Sequence, residues 1–306
     1  MTERVLITGV AGFIGSNLLD VLLAETDWQI DGIDNLSTGT KANIAHTLNN
    51  PRFTFTEADL ATLTTLKPYT KVFHLAALPR IQPSFEYIGE HITANVTRAM
   101  HLVELMIKEN HYPRLIYSGS SAIYGTPDHI PTTESESVKC LSPYAFQKYE
   151  VEKYLEILAE RYPLDYVTLR YFNPYGPRSF NPANAFNAYS SVIGIFLNRY
   201  KNGQPLIVTG DGKQRRDFIH VHDLALANLA ASKHPQKLNT AFNIGFGNTF
   251  AVLDVALMIS ENVEFIAKRE GEADVTYADI TKVREILGWE PKYKLSEYLQ
   301  KELGNA

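Results

Sequence analysis

The chain has 306 residues, room for one large domain or two ordinary ones. It is 45% hydrophobic and 21% charged, which suits a protein with a real core, and its net charge of −5 offers no basic bulk to nucleic acid. The single cysteine, Cys140, excludes an intramolecular disulfide framework and reads as an inert thiol in a reducing cytoplasm; no apolar run approaches the roughly 20 residues that span a bilayer.

The chain opens with MTERVLITGVAGFIG, whose apolar stretch is too short and too broken by Thr8 and glycines to read as a signal peptide or anchor. RVLITG (4–9) reads as a buried strand and GSNLLDVLLAE (15–25) as a helix. WQIDGID (28–34), RFTFTEAD (52–59), KVFHLAA (71–77) and PRLIYSGS (113–120) follow as strands, with helical stretches near 88–109 and 143–162 around the last of them. DYVTLRYFNPYGPR runs as a strand into a loop, RSFNPANAFNAYS (178–190) is rich in turn formers, and HVHDLALANLAASKH (220–234) is helical. Alternating strand and helix predicts an α/β fold, a Rossmann-type doubly wound parallel sheet covered on both faces. Residues 1–170 plus about 214–248 are expected to form it. About 171–213 plus 249–306 are expected to form a smaller C-terminal α/β lobe.

Gly9, Gly12 and Gly15 stand between the first strand and the first helix. A tight turn there wants no Cβ, a diphosphate must approach backbone N–H groups, and a helix N-terminus favours its charge. Asp34 closes the next strand 19 residues past Gly15. Its carboxylate accepts from a ribose 2′-hydroxyl and repels a 2′-phosphate, which points to NAD rather than NADP. The plain alternative is glycines that serve only chain reversal.

In SPYAFQKYEVEKY, Ser142 signals an N-cap and Pro143 a first turn. Tyr144 and Lys148, four apart, then share a helix face. A free phenol titrates near 10, too high for a base at neutral pH, and a nearby ammonium lowers that value. The plain reading, a core tyrosine and a solvated lysine, is weakened by SGSSAIYG (118–125). That stretch sets Ser120 at the carboxyl end of a strand, where open α/β sheets bind ligands.

Together, TGVAGFIG, DNLSTG (34–39), AD (58–59), HLAA (74–77), SGSSAIYG, SPYAFQK, RYFNPYGPR (170–178), GDGKQRRDFIHVHDLA (210–225) and YADITKVREILGWEP (277–291) resemble the extended short-chain dehydrogenase/reductases, in their NAD-dependent nucleotide-sugar epimerase/dehydratase group. The resemblance covers nearly the whole chain and implies roles. Gly9, Gly12, Phe13, Ile14 and Gly15 would take the NAD diphosphate. Asp34, with Asn35, Ser37 and Gly39, would hold the adenosine ribose, and Asp59 and Leu60 would lie at the adenine. Leu75, Ala76, Ala77, Asn95, Ser118 and Tyr171 would border the cofactor. Tyr144 would be the catalytic base, Lys148 its electrostatic helper and a ribose contact, and Ser120 the second hydroxyl. Ser84, Asn173, Arg216, Arg269 and Thr276 would meet the nucleotide sugar, the arginines at its diphosphate.

The resemblance also narrows the reaction. The group oxidises carbon 4 of a sugar. Its dehydratases carry Thr-Asp-Glu where this chain has Ser120-Ser121-Ala122, and its decarboxylases a glutamate where Ala122 stands. What remains is 4-epimerisation through a transient 4-keto sugar, of a UDP-hexose as in the UDP-glucose 4-epimerase type. The small Thr276, three residues before the aspartate of YAD, implies that N-acetylated sugars are admitted too. Pro83 stands where arginine is common, Arg98 where glycine is, and Glu272 where aspartate is. These departures leave open another sugar nucleotide, on GDP, dTDP or a UDP-uronic acid. A non-catalytic dinucleotide sensor is the reading from another class, and the retained Tyr144, Lys148 and Ser120 speak against it. No metal is expected: His74 and HVH (220–222) lack a ligand set. The resemblance further implies a homodimer through the helices near 88–109 and 143–162, with Leu102, Leu105, Met106, Val151, Tyr154, Leu155 and Leu158 on their apolar sides.

Overall fold

Seven parallel strands form the central sheet of the computed structural model, which describes residues 2–181 and 191–304. They are β1 (Arg4–Thr8), β2 (Gln29–Asp34), β3 (Phe53–Glu57), β4 (Lys71–His74), β5 (Arg114–Ser120), β6 (Tyr166–Tyr171) and a last strand, Thr240–Ile244. Their order is Thr240–Ile244, β6, β5, β4, β1, β2, β3. The chain winds outward from β1 in both directions, so the crevice between β1 and β4 is the switch point where such sheets take ligands.

Side chains alternate across the sheet, as the two-residue repeat of a strand demands. Val5 and Ile7 enter one core with Leu18, Leu19 and Leu22 of helix α1 (Phe13–Glu25) and Leu224 of the Val221–Lys233 helix. Leu6 enters the opposite core with residues of two later helices. Because both faces are covered, β5 and β6 are buried almost without interruption, their polar residues included.

The segment between β4 and β5 is less regular than its sequence predicts. It forms α2 (Ile81–Glu86), α3 (Ile88–Ile92), one π-helical turn over Thr93–Thr97 and α4 (Arg98–Lys108). Helix α2 escapes a sequence reading because PRIQPSF holds two prolines. Helix α5 (Pro143–Arg161) starts where expected, with the Ser142 hydroxyl accepting from the Ala145 N–H.

A third core joins Tyr175, Phe196, Leu206, Val208, Val255, Leu295 and Leu299. Ala278, Ile280, Val283 and Trp289, from the stretch expected in the small lobe, pack instead into the first core of the sheet. The chain therefore crosses between the cores more often than the sequence division anticipates. The turn-rich stretch 178–190 lies largely outside the described residues.

Candidate active site

The Gly-rich turn is built to receive a group from outside. Gly9 has φ +72°, and a Cβ on it would come within 2.7 Å of the Ala76 nitrogen. A Cβ on Gly15 would stand 2.1 Å from the Gly9 carbonyl oxygen. The N-cap of α1 is Gly12; no side chain caps it and no acidic residue enters the first turn, which leaves the end of the helix suited to an anion. Phe13 and Ile14 open the helix beside it. Gly39 folds back on the turn, its Cα side against Ala11.

Asp34 is buried at the end of β2, and its carboxylate accepts from the Ala11 N–H at 2.9 Å and the Leu36 N–H at 2.7 Å. Burial pushes its pKa up, and these two bonds pull it back. Each oxygen, with one N–H accepted, keeps a further lone-pair direction free among the described residues. Asn35 turns back on Ser37, accepting its N–H at 3.1 Å, and donates to Asp59 at 3.2 Å. These features fit a dinucleotide diphosphate and ribose.

Asp59 departs from expectation. Its Oδ1 accepts from the Ala61 N–H at 2.9 Å and Arg98 Nε at 2.6 Å, while its Oδ2 accepts from Arg98 Nη2 and Asn35 Nδ2. Leu60 beside it is buried in the second core. Beside Gly9, the Leu75 and Ala76 N–H groups both donate to Thr8 Oγ1 at 3.2 Å. Ala77 is half-buried next to them. Asn95, in the π-turn, clamps Leu78 from both sides and donates to Gln147 at 2.9 Å, which ties this loop to α5. Tyr171 is enclosed, and its hydroxyl donates to Asn228 rather than toward the crevice.

Helix α5 meets the carboxyl end of β5 as its spacing predicts. Lys148 is buried, and its ammonium donates to the Ser118 carbonyl oxygen at 2.9 Å. Burial lowers its pKa to about 8, opposed by Glu152 one turn on. Ser120 ends β5, and its hydroxyl accepts from the Ala122 N–H. Burial raises the Tyr144 phenol, while the neighbouring Ser120 hydroxyl and the charge of Arg80 pull it down. The three expected catalytic residues thus meet at one strand end. The cation acting on Tyr144 here is Arg80, which sequence reasoning missed. It stands at φ +92°, with its Nε buried and unpartnered among the described residues, and burial lowers its pKa. Nothing local in LPRIQ marks it; the α2 fold brings it in.

The substrate side needs one correction. Ser84 is 0% exposed, donates to the Ile81 carbonyl oxygen at 2.6 Å and accepts from the Tyr144 N–H at 3.1 Å. It pins α2 to α5 and has no surface left for a sugar. Asn173 donates to the Asp217 carbonyl oxygen at 2.9 Å and to Thr276 Oγ1 at 2.8 Å, so those two expected substrate residues meet each other. Arg216 faces Glu272 at 3.5 Å. Arg269 is exposed, and its charge reaches Arg80. The loop carrying Arg269 and Glu272 is seated on α2, where Gln82 donates to the Glu270 carbonyl oxygen at 2.7 Å.

Other candidates resolve as structural. His74 is buried against Thr8 Oγ1 at 2.8 Å, and burial brings its pKa down to about 3. His220 stacks on Tyr293. Burial raises the Cys140 thiol to about 11, which makes it a poor nucleophile.

The fold and cradle define a dinucleotide-binding protein, and comparison with known proteins agrees. Residues 5–245 match the model of the NAD dependent epimerase/dehydratase family. A putative UDP-glucose 4-epimerase of Methanocaldococcus jannaschii is 35% identical, with 97% of this chain and 96% of that protein covered. The structure of a UDP-N-acetylglucosamine 4-epimerase from Methanobrevibacter ruminantium, in complex with UDP-N-acetylmuramic acid, superposes with a TM-score of 0.90 at 32% identity, covering 99% of this chain and 98% of that one. A UDP-glucuronic acid 4-epimerase from Bacillus cereus, with UDP-glucuronic acid and NAD, gives a TM-score of 0.91 at 28% identity, covering 99% and 98%. The chain belongs to the NAD-dependent epimerase/dehydratase family, and its cofactor is NAD.

Proposed function

We propose that this protein is an NAD-dependent nucleotide-sugar 4-epimerase acting on a UDP-hexose, with UDP-glucose and UDP-galactose as one pair and their N-acetylated forms as another. The observation that carries the reading is the convergence of Tyr144, Ser120 and Lys148 at the end of β5, with Ala122 where elimination chemistry needs an acid. Tyr144 takes the proton of the sugar 4-hydroxyl, and Ser120 hydrogen-bonds the same oxygen. Lys148 holds a ribose hydroxyl and adds positive field. Held by the Gly9–Gly15 turn and Asp34, NAD would supply reversible hydride chemistry at carbon 4 of the sugar, so that net redox over a turnover is zero. Arg216 and Arg269 hold the diphosphate about which the sugar turns, with Asn173 and Thr276 beside it.

A second reading has one observation behind it. Arg80 brings a further, partly buried cation to act on Tyr144, and the charges of Glu272 and Arg269 act on it in turn. An anionic sugar, such as a UDP-uronic acid, would pair with that charge.

The same reading includes two lobes, a place in the cytoplasm, and a homodimer through α4 and α5. Intramolecular packing accounts for most of the stripe expected there: Leu102, Leu105, Met106, Val151 and Leu155 are all buried within the subunit. The surface left for a partner is Phe146, Tyr154 and Ile157. Among the described residues no helix is long and apolar enough to cross a membrane.

The test is incubation of the protein with UDP-galactose, UDP-N-acetylgalactosamine and UDP-galacturonate separately, with and without added NAD, following anomeric signals by NMR. The gluco epimer is expected from at least one. Oxidised or dehydrated product without epimer overturns the reaction, and turnover of the uronate alone selects the second reading.

A further inference from the structure

In a doubly wound sheet the diphosphate lies over the N-terminus of α1 and the ribose at Asp34 on β2. The base therefore extends outward over the end of β3, where Asp59 stands and is tied to Asn35. A carboxylate there is a natural acceptor for the exocyclic amino group of adenine. Here it is already full. Each oxygen has two lone-pair directions. Oδ1 receives Ala61 N–H and Arg98 Nε, and Oδ2 receives Arg98 Nη2 and Asn35 Nδ2. Arg98 is the decisive partner, because its two-point grip is charge-assisted and planar. Its Nη1 makes no hydrogen bond among the described residues, so this edge of the site presents donors rather than acceptors.

We propose that Arg98 is a specificity-determining residue of the dinucleotide site: by occupying the Asp59 carboxylate, it leaves the site without selection for the amino group of adenine. The inference concerns the adenosine end alone and stands whichever sugar is turned over.

The experiment is equilibrium displacement of radiolabelled NAD from the full chain. The competitors are unlabelled NAD and nicotinamide hypoxanthine dinucleotide, which carries oxygen in place of the amino group. The same titration on Arg98→Ala gives a ratio of ratios, which cancels any effect of the altered ring nitrogen. Freeing Asp59 is expected to raise the preference for NAD about tenfold over wild type, the scale of one hydrogen bond to a charged group. Arg98→Lys, which keeps the charge and loses the two-point grip, is expected to shift the ratio in the same direction by less, and serves alone should the alanine variant fail to fold. An unchanged or reduced preference for NAD in the variants overturns the proposal, whatever happens to sugar turnover.

Discussion

The Lys148 ammonium donates to the Ser118 carbonyl oxygen at 2.9 Å and reaches the Ser118 hydroxyl at 3.4 Å, which docks α5 on the carboxyl end of β5. The contact places a buried cation one helical turn from Tyr144, and burial brings its pKa down to about 8. As pH rises, the folded chain gives up this proton before the unfolded chain does. The penalty of burying the charge is complete below about 8. It is relieved between there and the ordinary lysine value, so stability rises over that window. Catalysis runs the other way, because the ammonium is lost. We expect kcat/KM to bend downward near pH 8, and the bend to be absent in Lys148→Arg, whose charge persists. Over the same window, the unfolding free energy of wild type relative to Lys148→Met is expected to rise by at most about 3 kcal/mol. A pH–rate profile and urea melts measure the two, and equal bends in both proteins would count against the assignment.

Arg80 is the cation whose charge acts on the phenol. Its charge pulls the Tyr144 pKa down from where burial sets it. Arg80→Met keeps much of the bulk and removes the charge. The rising, alkaline-going limb of kcat/KM is expected to move up by about one pH unit, with about a tenfold loss at neutral pH. If the anionic-sugar reading holds, the KM for a UDP-uronic acid rises as well, while that for a neutral UDP-hexose stays within about threefold. A profile identical to wild type would remove Arg80 from the chemistry.

Thr276 combines two duties, since its hydroxyl accepts from Asn173 Nδ2 at 2.8 Å and from the Asp217 N–H at 3.3 Å. Thr276→Tyr is expected to lower turnover of N-acetylated sugars at least tenfold more than that of non-acetylated ones. Thr276→Val, near in shape but without the acceptor, frees Asn173 and is expected to slow both substrates alike. Parallel losses in the tyrosine variant would show that the position supports Asn173 and gates nothing.

Asp217 is fully buried behind the site and accepts backbone N–H groups from Phe246, Gly247 and Ala278. Its carboxylate draws three separate segments together. Asp217→Asn turns one acceptor into a donor aimed at an N–H group. We expect a loss of about 2 kcal/mol, the cost of leaving a buried donor unpaired, read as a lower urea midpoint with unchanged slope. A midpoint equal to wild type would mean that the segments hold without it.

The exposed surface of α5 carries Phe146 at 57%, Tyr154 at 42% and Ile157 at 60% exposure. Ile157→Glu is expected to convert a dimer to a monomer in light scattering at micromolar concentration, with the far-UV spectrum unchanged. A wild-type monomer under those conditions removes the dimer from the reading.

The sequence by itself determined the parallel sheet, because its apolar runs and amphipathic stretches alternate at the right lengths. It also placed the Gly-rich turn with Asp34 and the Tyr144–Lys148 pair, because those are local spacings in which a strand end or a helix face dictates which side chains meet. The seventh strand, Thr240–Ile244, was not legible as a strand, since the TAFNI run is short and flanked by loops. Arg80, Arg98 and Ser84 depended on tertiary structure. Ser84 looked available for a sugar, yet the packing of α2 on α5 closes it off. Arg98 looked like an oddity on a helix until that helix set its guanidinium across the Asp59 carboxylate. Arg80 gained its place beside Tyr144 from a left-handed backbone conformation that no local pattern announces. A repeat of two or 3.6 residues is written along the chain. The meeting of groups from segments tens of residues apart depends on how whole elements pack, which is why the Gly-rich turn could be read in advance and the surroundings of the Tyr144 phenol could not.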